Sequence, residues 1–217
     1  ALSTAVSDGT RKAFDLFWAN PTHGLPGPGG NGTSFSYADV DFFLLDDRSF
    51  RVPPDVVTAK PTMLGQAQVD RLIQMLKYSD ASFKIVALGG QFLNTAAVYE
   101  TYATYGEERQ QLIDRIEREG ITGVVFLTGD RHHSDLSKLE LKDGNVIHDL
   151  TVSPLTSGVH AKKEDNTLAV PGTYVEQRNF ATLALKGPRK ARTMVMAVHD
   201  QEGKVLWERT IAAPVKP

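Results

Sequence analysis

The chain has 217 residues, a formal net charge of −2 at pH 7 and a hydrophobic content of 41%. These values are ordinary for one globular domain with a sizeable core, and no run of like charge indicates a nucleic-acid-binding surface. The absence of cysteine excludes disulfides, thiolate ligands and cysteine nucleophiles, and no apolar run approaches the ~18 residues that span a membrane.

The first part of the chain, residues 1–62, is predicted to contain a helix, a hairpin and loops. Aromatic and apolar residues indicate a helix over residues 8–19, and the glycine- and proline-rich stretch 20–33 indicates a loop. Two short runs, Thr33–Tyr37 and Val40–Leu45, predict strands joined by a tight turn. The chain does not open on methionine or on a signal peptide, so we expect a processed or cut piece of a longer chain.

Charged residues gather where the second of these strands ends, in the segment Leu45–Arg51. Arg48 is a candidate anion ligand, because a guanidinium offers paired donors to phosphate. The alternative is that Arg48 pairs with Asp46 or Asp47 and orders the loop. Residues 52–62 are rich in proline and predict a surface excursion near a site.

Helix and strand patterns alternate over residues 63–134. Met63–Tyr78 and Glu107–Glu119 have helical spacing of apolar residues, while Phe83–Leu88 and Val124–Leu127 are short apolar runs typical of buried strands. This alternation predicts an α/β fold with a layered sheet.

Two glycines, Gly89 and Gly90, follow the first of these buried strands and allow the backbone to approach another group closely. Gln91 and Asn94 come next and are candidate ligand contacts. A plain turn in which both amides are satisfied within the protein is the alternative.

The strongest candidate site follows the strand Val124–Leu127, where Gly129 is succeeded by Asp130, His132 and His133. Open α/β sheets place their ligands at the carboxyl edge of the strands. Residues two apart in extended chain point the same way, so Asp130 and His132 can reach one ion or two adjacent ions. A carboxylate with an imidazole suits iron, manganese or zinc. The alternative is a solvated turn that Asp130 caps.

The last part of the chain, residues 135–217, is predicted to be rich in β-structure. The predicted strands are Leu139–Leu141, Val146–Val152, Phe180–Leu185, Thr193–His199 and Val205–Ile211. Hairpin turns are predicted at Lys142–Asn145 and Asp200–Gly203, where glycine can take a positive φ. The polar stretch 160–173 predicts a mobile loop.

Four short motifs in this order resemble the C-terminal half of alkaline phosphatase D-like enzymes, in the calcineurin-like metallophosphoesterase superfamily. The motifs are Leu45–Arg51, Met63–Gln68, Leu127–His132 and Ser153–Ser157. The resemblance runs through nearly all of the chain. It implies a single domain over residues 1–217 that forms the C-terminal portion of a four-layer αββα sandwich with mixed sheets.

The resemblance also implies roles for the candidate residues. Asp130 and His132 hold the positions of two metal ligands, for iron with calcium or for manganese or zinc. His133 is a candidate catalytic acid that protonates the leaving alkoxide, or alternatively a group that orients a ligand. Arg48 is expected to bind the phosphoryl group. The amides that follow the first buried strand, Gln91 and Asn94, are expected to line the substrate pocket.

The implied function is metal-dependent hydrolysis of a phosphoric monoester or diester by attack of a metal-activated water. The upstream motifs that supply most of the family's ligands have no counterpart here, so we expect this polypeptide alone to be inactive. Its expected partners are a phosphate-ester substrate and the N-terminal portion of the same enzyme, and its expected location is periplasmic or secreted. A non-enzymatic β-rich ligand-binding or accessory module is the alternative.

Overall fold

The computed structural model describes residues 4–22, 25, 30–162 and 164–214. Within these ranges the chain forms three α-helices, two short 3-10 helices and nine strands. The α-helices are α1 (Thr4–Phe17), α2 (Gln66–Tyr78) and α3 (Gly106–Arg118). No helix in the described part of the chain is long and apolar enough to cross a lipid bilayer. The loop predicted over residues 20–33 lies partly outside the described residues.

The strands form two sheets. In chain order they are β1 (Thr33–Tyr37), β2 (Val40–Leu44), β3 (Phe83–Ala87), β4 (Val124–Thr128), β5 (Asp135–Glu140), β6 (Val146–Thr151), β7 (Asn179–Lys186), β8 (Thr193–Asp200) and β9 (Val205–Ala212). The larger sheet has six strands in the order β1-β2-β3-β4-β6-β5, and the smaller is the meander β7-β8-β9. The four inner strands of the larger sheet, β2, β3, β4 and β6, run parallel, while β1 and β5 pair antiparallel at its edges.

Two hydrophobic cores separate three layers. One core joins α2 and α3 to one face of the six-stranded sheet and includes Leu72, Leu112 and Phe126. The other lies between the two sheets and includes Ile85 and Met196. The predicted α/β class with a mixed sheet is therefore confirmed. The fourth layer and the description as a C-terminal portion stay predictions.

The second helix begins at Gln66, whereas the sequence predicted a start at Met63. The residue before it, Gly65, has a φ of 77°, which L-residues with side chains rarely adopt. The backbone N–H groups of Met63, Leu64 and Gly65 donate to the buried carboxylate of Glu108 at 2.7, 3.2 and 2.9 Å. Glu108 lies on α3 and accepts all three N–H groups. Residues 63–65 are therefore held in a turn before α2 and are not part of that helix.

The predicted division at residue 134 lies within one sheet, since β5 and β6 belong to the same sheet as β4. Residues 168–170, part of the stretch predicted to be a mobile loop, lie along the outer edge of β5, where the N–H of Lys138 donates to the Leu168 carbonyl at 3.0 Å and the N–H of Val170 to the Leu136 carbonyl at 2.7 Å. These bonds satisfy backbone groups that an edge strand otherwise leaves open. The division and the mobility of the stretch stay predictions.

One histidine of the six-stranded sheet makes the stability of the fold depend on pH. Burial, together with Lys138 on the neighbouring strand, lowers the pKa of His148 from 6.5 to about 4. Between these values the unfolded chain binds a proton that the folded protein does not. The contribution of His148 to stability is therefore present above pH 6.5 and is lost as the pH falls toward 4.

In the wild type, His148 makes the free energy of unfolding fall between pH 7 and pH 4.5. We predict that this fall is about 2 kcal/mol smaller in His148→Gln. Urea denaturation at both pH values measures this difference. His199→Gln, at the end of β8, is the matched control and should keep the wild-type pH dependence. An equal decrease in His148→Gln and wild type would contradict the assignment.

Candidate functional site

The exits of three parallel strands meet at one edge of the six-stranded sheet. The ladder continues beyond the strands themselves: the N–H of Gly129 donates to the Gly89 carbonyl at 3.0 Å, and the N–H of Val152 donates to the Thr128 carbonyl at 2.9 Å. The segments that follow β3, β4 and β6 are therefore neighbours. This is the position at which open α/β sheets bind ligands.

The backbone after β4 makes two uncommon turns. Asp130 and His132 have φ values of 68° and 58°, a left-handed conformation that costs roughly 1–2 kcal/mol per residue for residues other than glycine. Asp130 is exposed, His132 is half-buried, and Arg131 between them is buried. Strain of this kind persists only where the surrounding structure holds it, and it clusters at functional sites.

The ring of His132 is held from one side by the segment after β6. Its Nδ1 lies 2.6 Å from the carbonyl oxygen of Gly158, and the ring stacks on that of His160 with 4.5 Å between centroids. Since a carbonyl oxygen only accepts, Nδ1 carries the proton and Nε2 of the neutral ring keeps its lone pair. This is the arrangement in which a histidine binds a metal ion.

The predicted ligand pair fits a metal ion in donor type but supplies only part of a coordination sphere. Asp130 offers an exposed carboxylate and His132 an oriented imidazole. In the described ranges, no group of three or more His, Cys, Asp or Glu residues is arranged to hold a metal ion. Catalytic zinc sites have three protein ligands, so Asp130 and His132 alone are fewer than such a site has.

His133, the predicted catalytic acid, lies behind the ligand pair. Its ring is 1% exposed and 5.4 Å from that of Tyr174, and neither ring nitrogen has a hydrogen-bond partner among the described residues. Burial lowers its pKa, although the nearby Asp135 raises it. Both predicted roles of His133, as a catalytic acid and as a group that orients a ligand, stay predictions.

Gln91 and Asn94, the predicted substrate contacts, are each 1% exposed and bonded inside the protein. The Gln91 amide donates to Asp135 Oδ1 at 3.1 Å and to Thr151 Oγ1 at 2.9 Å, and the Asn94 amide donates to Gln91 Oε1 at 2.8 Å. Both amides therefore have partners within the protein, and their contact with a substrate stays a prediction.

Arg48, the predicted phosphate ligand, has a side chain that is 60% exposed and forms ion pairs. Its guanidinium lies 2.7 Å from Glu100 and 3.6 Å from Asp47. Hydrogen bonds from Arg48 and Arg51 lower the pKa of Glu100 to about 2. The predicted pairing with Asp47 is present, and an anion that binds Arg48 must compete with Glu100.

A cleft of about 610 Å³ opens beside Arg48. It is lined by Phe14 of α1, by Trp18 just after that helix, and by the segments after β2 and β3, including Asp47 and Gly89. Gly89 is also the residue whose carbonyl binds Gly129, so the cleft adjoins the exit of β4. Its volume is in the range of small-molecule sites.

Asp149, which the sequence did not single out, holds the segment after β3 by hydrogen bonds to its backbone. Its fully buried carboxylate accepts hydrogen bonds from the N–H groups of Phe92 and Leu93 at 2.8 and 2.7 Å and from the Thr128 hydroxyl at 2.7 Å. Burial raises its pKa to about 6. The available signal was a carboxylate on a buried strand, which must find donors.

We predict that Asp149→Ala lowers the free energy of unfolding by about 2–4 kcal/mol, because it leaves two buried N–H groups without an acceptor. Urea denaturation at pH 7 measures the loss. Asp143→Ala, which removes an exposed carboxylate in the β5–β6 turn, is the control and should cost less than about 1 kcal/mol. Equal losses in the two variants would contradict the supporting role of Asp149.

Comparisons with known proteins place these observations in a family context. The sequence profile of the PhoD-like phosphatases matches residues 32–207. A solved structure described as the structure of PhoD is similar in fold, with a TM-score of 0.67 and 18% sequence identity over 97% of this chain. This chain spans 49% of that protein's length.

A second solved structure, a single mutant of Vps29 from Entamoeba histolytica, has a TM-score of 0.28 and 12% identity over 79% of this chain and 98% of its own. At that TM-score it does not bear on the fold. No curated protein sequence matches this chain significantly.

Proposed function

This chain belongs to the PhoD-like phosphatase family, and we propose that it forms part of a metal-dependent phosphoric ester hydrolase. The observation that carries the proposal is the left-handed turn after β4, in which Asp130 is exposed and His132, two residues later, has its Nδ1 bonded to the Gly158 carbonyl. The remaining ligands would come from an N-terminal portion of the same enzyme, a part of the proposal that rests on the resemblance of the four sequence motifs.

Asp130 and His132 would hold the metal, with iron and calcium the first candidates and manganese or zinc the alternatives. A metal ion at these ligands supplies stabilisation of the phosphoryl oxygens and activation of water for attack on phosphorus. The Gly158 carbonyl keeps the His132 ring in the tautomer that presents Nε2 to the metal. Without the further ligands we expect this chain to be inactive.

The substrate would be a phosphoric monoester or diester that enters the cleft beside Arg48. The guanidinium of Arg48 is exposed and borders the cleft, so it can bind the phosphate oxygens once it exchanges its ion pair with Glu100. A periplasmic or secreted location is part of this proposal and rests on the family alone.

We predict that His132→Ala lowers metal content to below half of wild type and phosphoester hydrolysis by more than about 100-fold, because a ligand is lost. The enzyme is assayed with the N-terminal portion supplied, on the same polypeptide or as a separate one. p-Nitrophenyl phosphate reports monoesterase activity and bis(p-nitrophenyl) phosphate reports diesterase activity. Elemental analysis gives the metal content.

His199→Ala is the matched control, since it removes a histidine from the other sheet. It should keep both the metal content and the rates of wild type. Unchanged metal content and unchanged rates in His132→Ala would refute the proposed site. Wild-type protein without metal and without activity would favour a non-enzymatic module instead.

A further inference from the structure

A buried ion pair lies directly behind the candidate ligand loop. Arg131 donates to Glu164 at 2.6 Å, and the two side chains are only 6% and 7% exposed. The guanidinium also donates to Gln91 Oε1 at 2.8 Å and lies 5.1 Å from the ring centroid of Tyr99. Asn94 donates to the same oxygen of Glu164 at 3.2 Å. The orientation of the guanidinium is therefore fixed by several directional contacts.

Arg131 is the middle residue of the turn that carries both candidate ligands. Its side chain is buried, while Asp130 is exposed and His132 is half-buried. Both flanking residues have left-handed backbones, which need outside contacts to persist. Anchoring the middle residue of three fixes the direction in which the outer two project.

The segment that carries Glu164 also holds His132 directly. Gly158 binds the His132 ring, and the N–H of His160 donates to the His132 carbonyl at 3.0 Å. A few residues later the same segment pairs with β5, where Ala169 bridges to Ser137. The segment after β6 therefore contacts the ligand turn at three places: the His132 ring, the His132 carbonyl and the Arg131 side chain. The same segment also pairs with β5 at the edge of the sheet.

We infer that the Arg131–Glu164 ion pair positions Asp130 and His132 for metal binding. The inference rests on the proposed function, in which these two residues are metal ligands. A buried ion pair adds little net stability compared with a well-packed apolar pair of similar volume. Its directional bonds, in contrast, set the geometry of the adjoining turn, and residues that hold metal ligands in this way govern metal affinity.

The test uses this chain and the variants Glu164→Gln, Arg131→Met and the double variant. MnCl₂ is titrated into ¹⁵N-labelled protein, and paramagnetic broadening of the Asp130 and His132 amide signals gives the apparent affinity, even where binding is weak. In the metal-free protein, the His132 ring N–H signal reports the hydrogen bond to Gly158. We expect each single variant to weaken Mn²⁺ binding about tenfold or more and to speed exchange of the ring N–H.

Two controls separate positioning from loss of stability. Glu107→Gln removes an exposed carboxylate, 2.8 Å from Lys60, and should leave both readouts unchanged. Leu72→Ala destabilises the helix-side core and should lower the melting temperature while it preserves Mn²⁺ affinity. In the double variant no buried charge of the pair is left unpaired, so it should regain melting temperature relative to the single variants without regaining affinity.

The outcomes are distinguishable. Wild-type affinity and wild-type ring N–H exchange in the folded single variants would overturn the positioning role. Recovery of affinity together with stability in the double variant would also overturn it. If Mn²⁺ broadens neither ligand signal in wild type while the variants still lose the ring N–H signal, the ion pair positions the turn and the proposed metal function fails.

Discussion

The parallel pairing of β3, β4 and β6 is the constraint on which the candidate site depends. It brings three strand exits to one edge of the sheet, where the ladder continues through Gly89, Gly129 and Val152. A β-carbon at Gly89 would meet the Asp47 carboxylate, so a larger residue here would displace that side chain. Because these strand exits are hydrogen-bonded to one another, the turn after β4 is confined between the segments that follow β3 and β6.

The site has a buried supporting part and an exposed part. Beneath the turn, Arg131 donates to Gln91 and Glu164, and Asp149 accepts from the N–H groups of Phe92 and Leu93, in a region that solvent hardly reaches. Polar groups there are costly unless each finds partners, and when they do, they fix one geometry. Above them, Asp130 carries the exposed carboxylate. The buried network therefore supports the strained, left-handed turn above it.

Sequence reasoning succeeded where the signal was local. The apolar run of β4 and the glycine after it predicted a strand exit. The spacing argument for Asp130 and His132 assumes extended chain, whereas both residues have left-handed backbones. Sequence reasoning failed where partners are distant in the chain: Gln91 bonds Asp135 44 residues away, Phe92 bonds Asp149 57 residues away, and Arg131 bonds Glu164 33 residues away. An amide or arginine looks alike in sequence whether it faces a substrate or a buried carboxylate. The same limit hid the start of β5, because the polar Asp135 is buried only through contacts with other segments.

The most direct test is a crystal structure of this chain together with the N-terminal portion of the enzyme, grown with MnCl₂ and measured for anomalous scattering from manganese. The account predicts a peak about 2.0–2.3 Å from both a carboxylate oxygen of Asp130 and Nε2 of His132, with the Nδ1 contact to Gly158 retained. A manganese peak elsewhere, combined with a His132 ring turned so that Nε2 faces away from the Asp130 carboxylate, would contradict it.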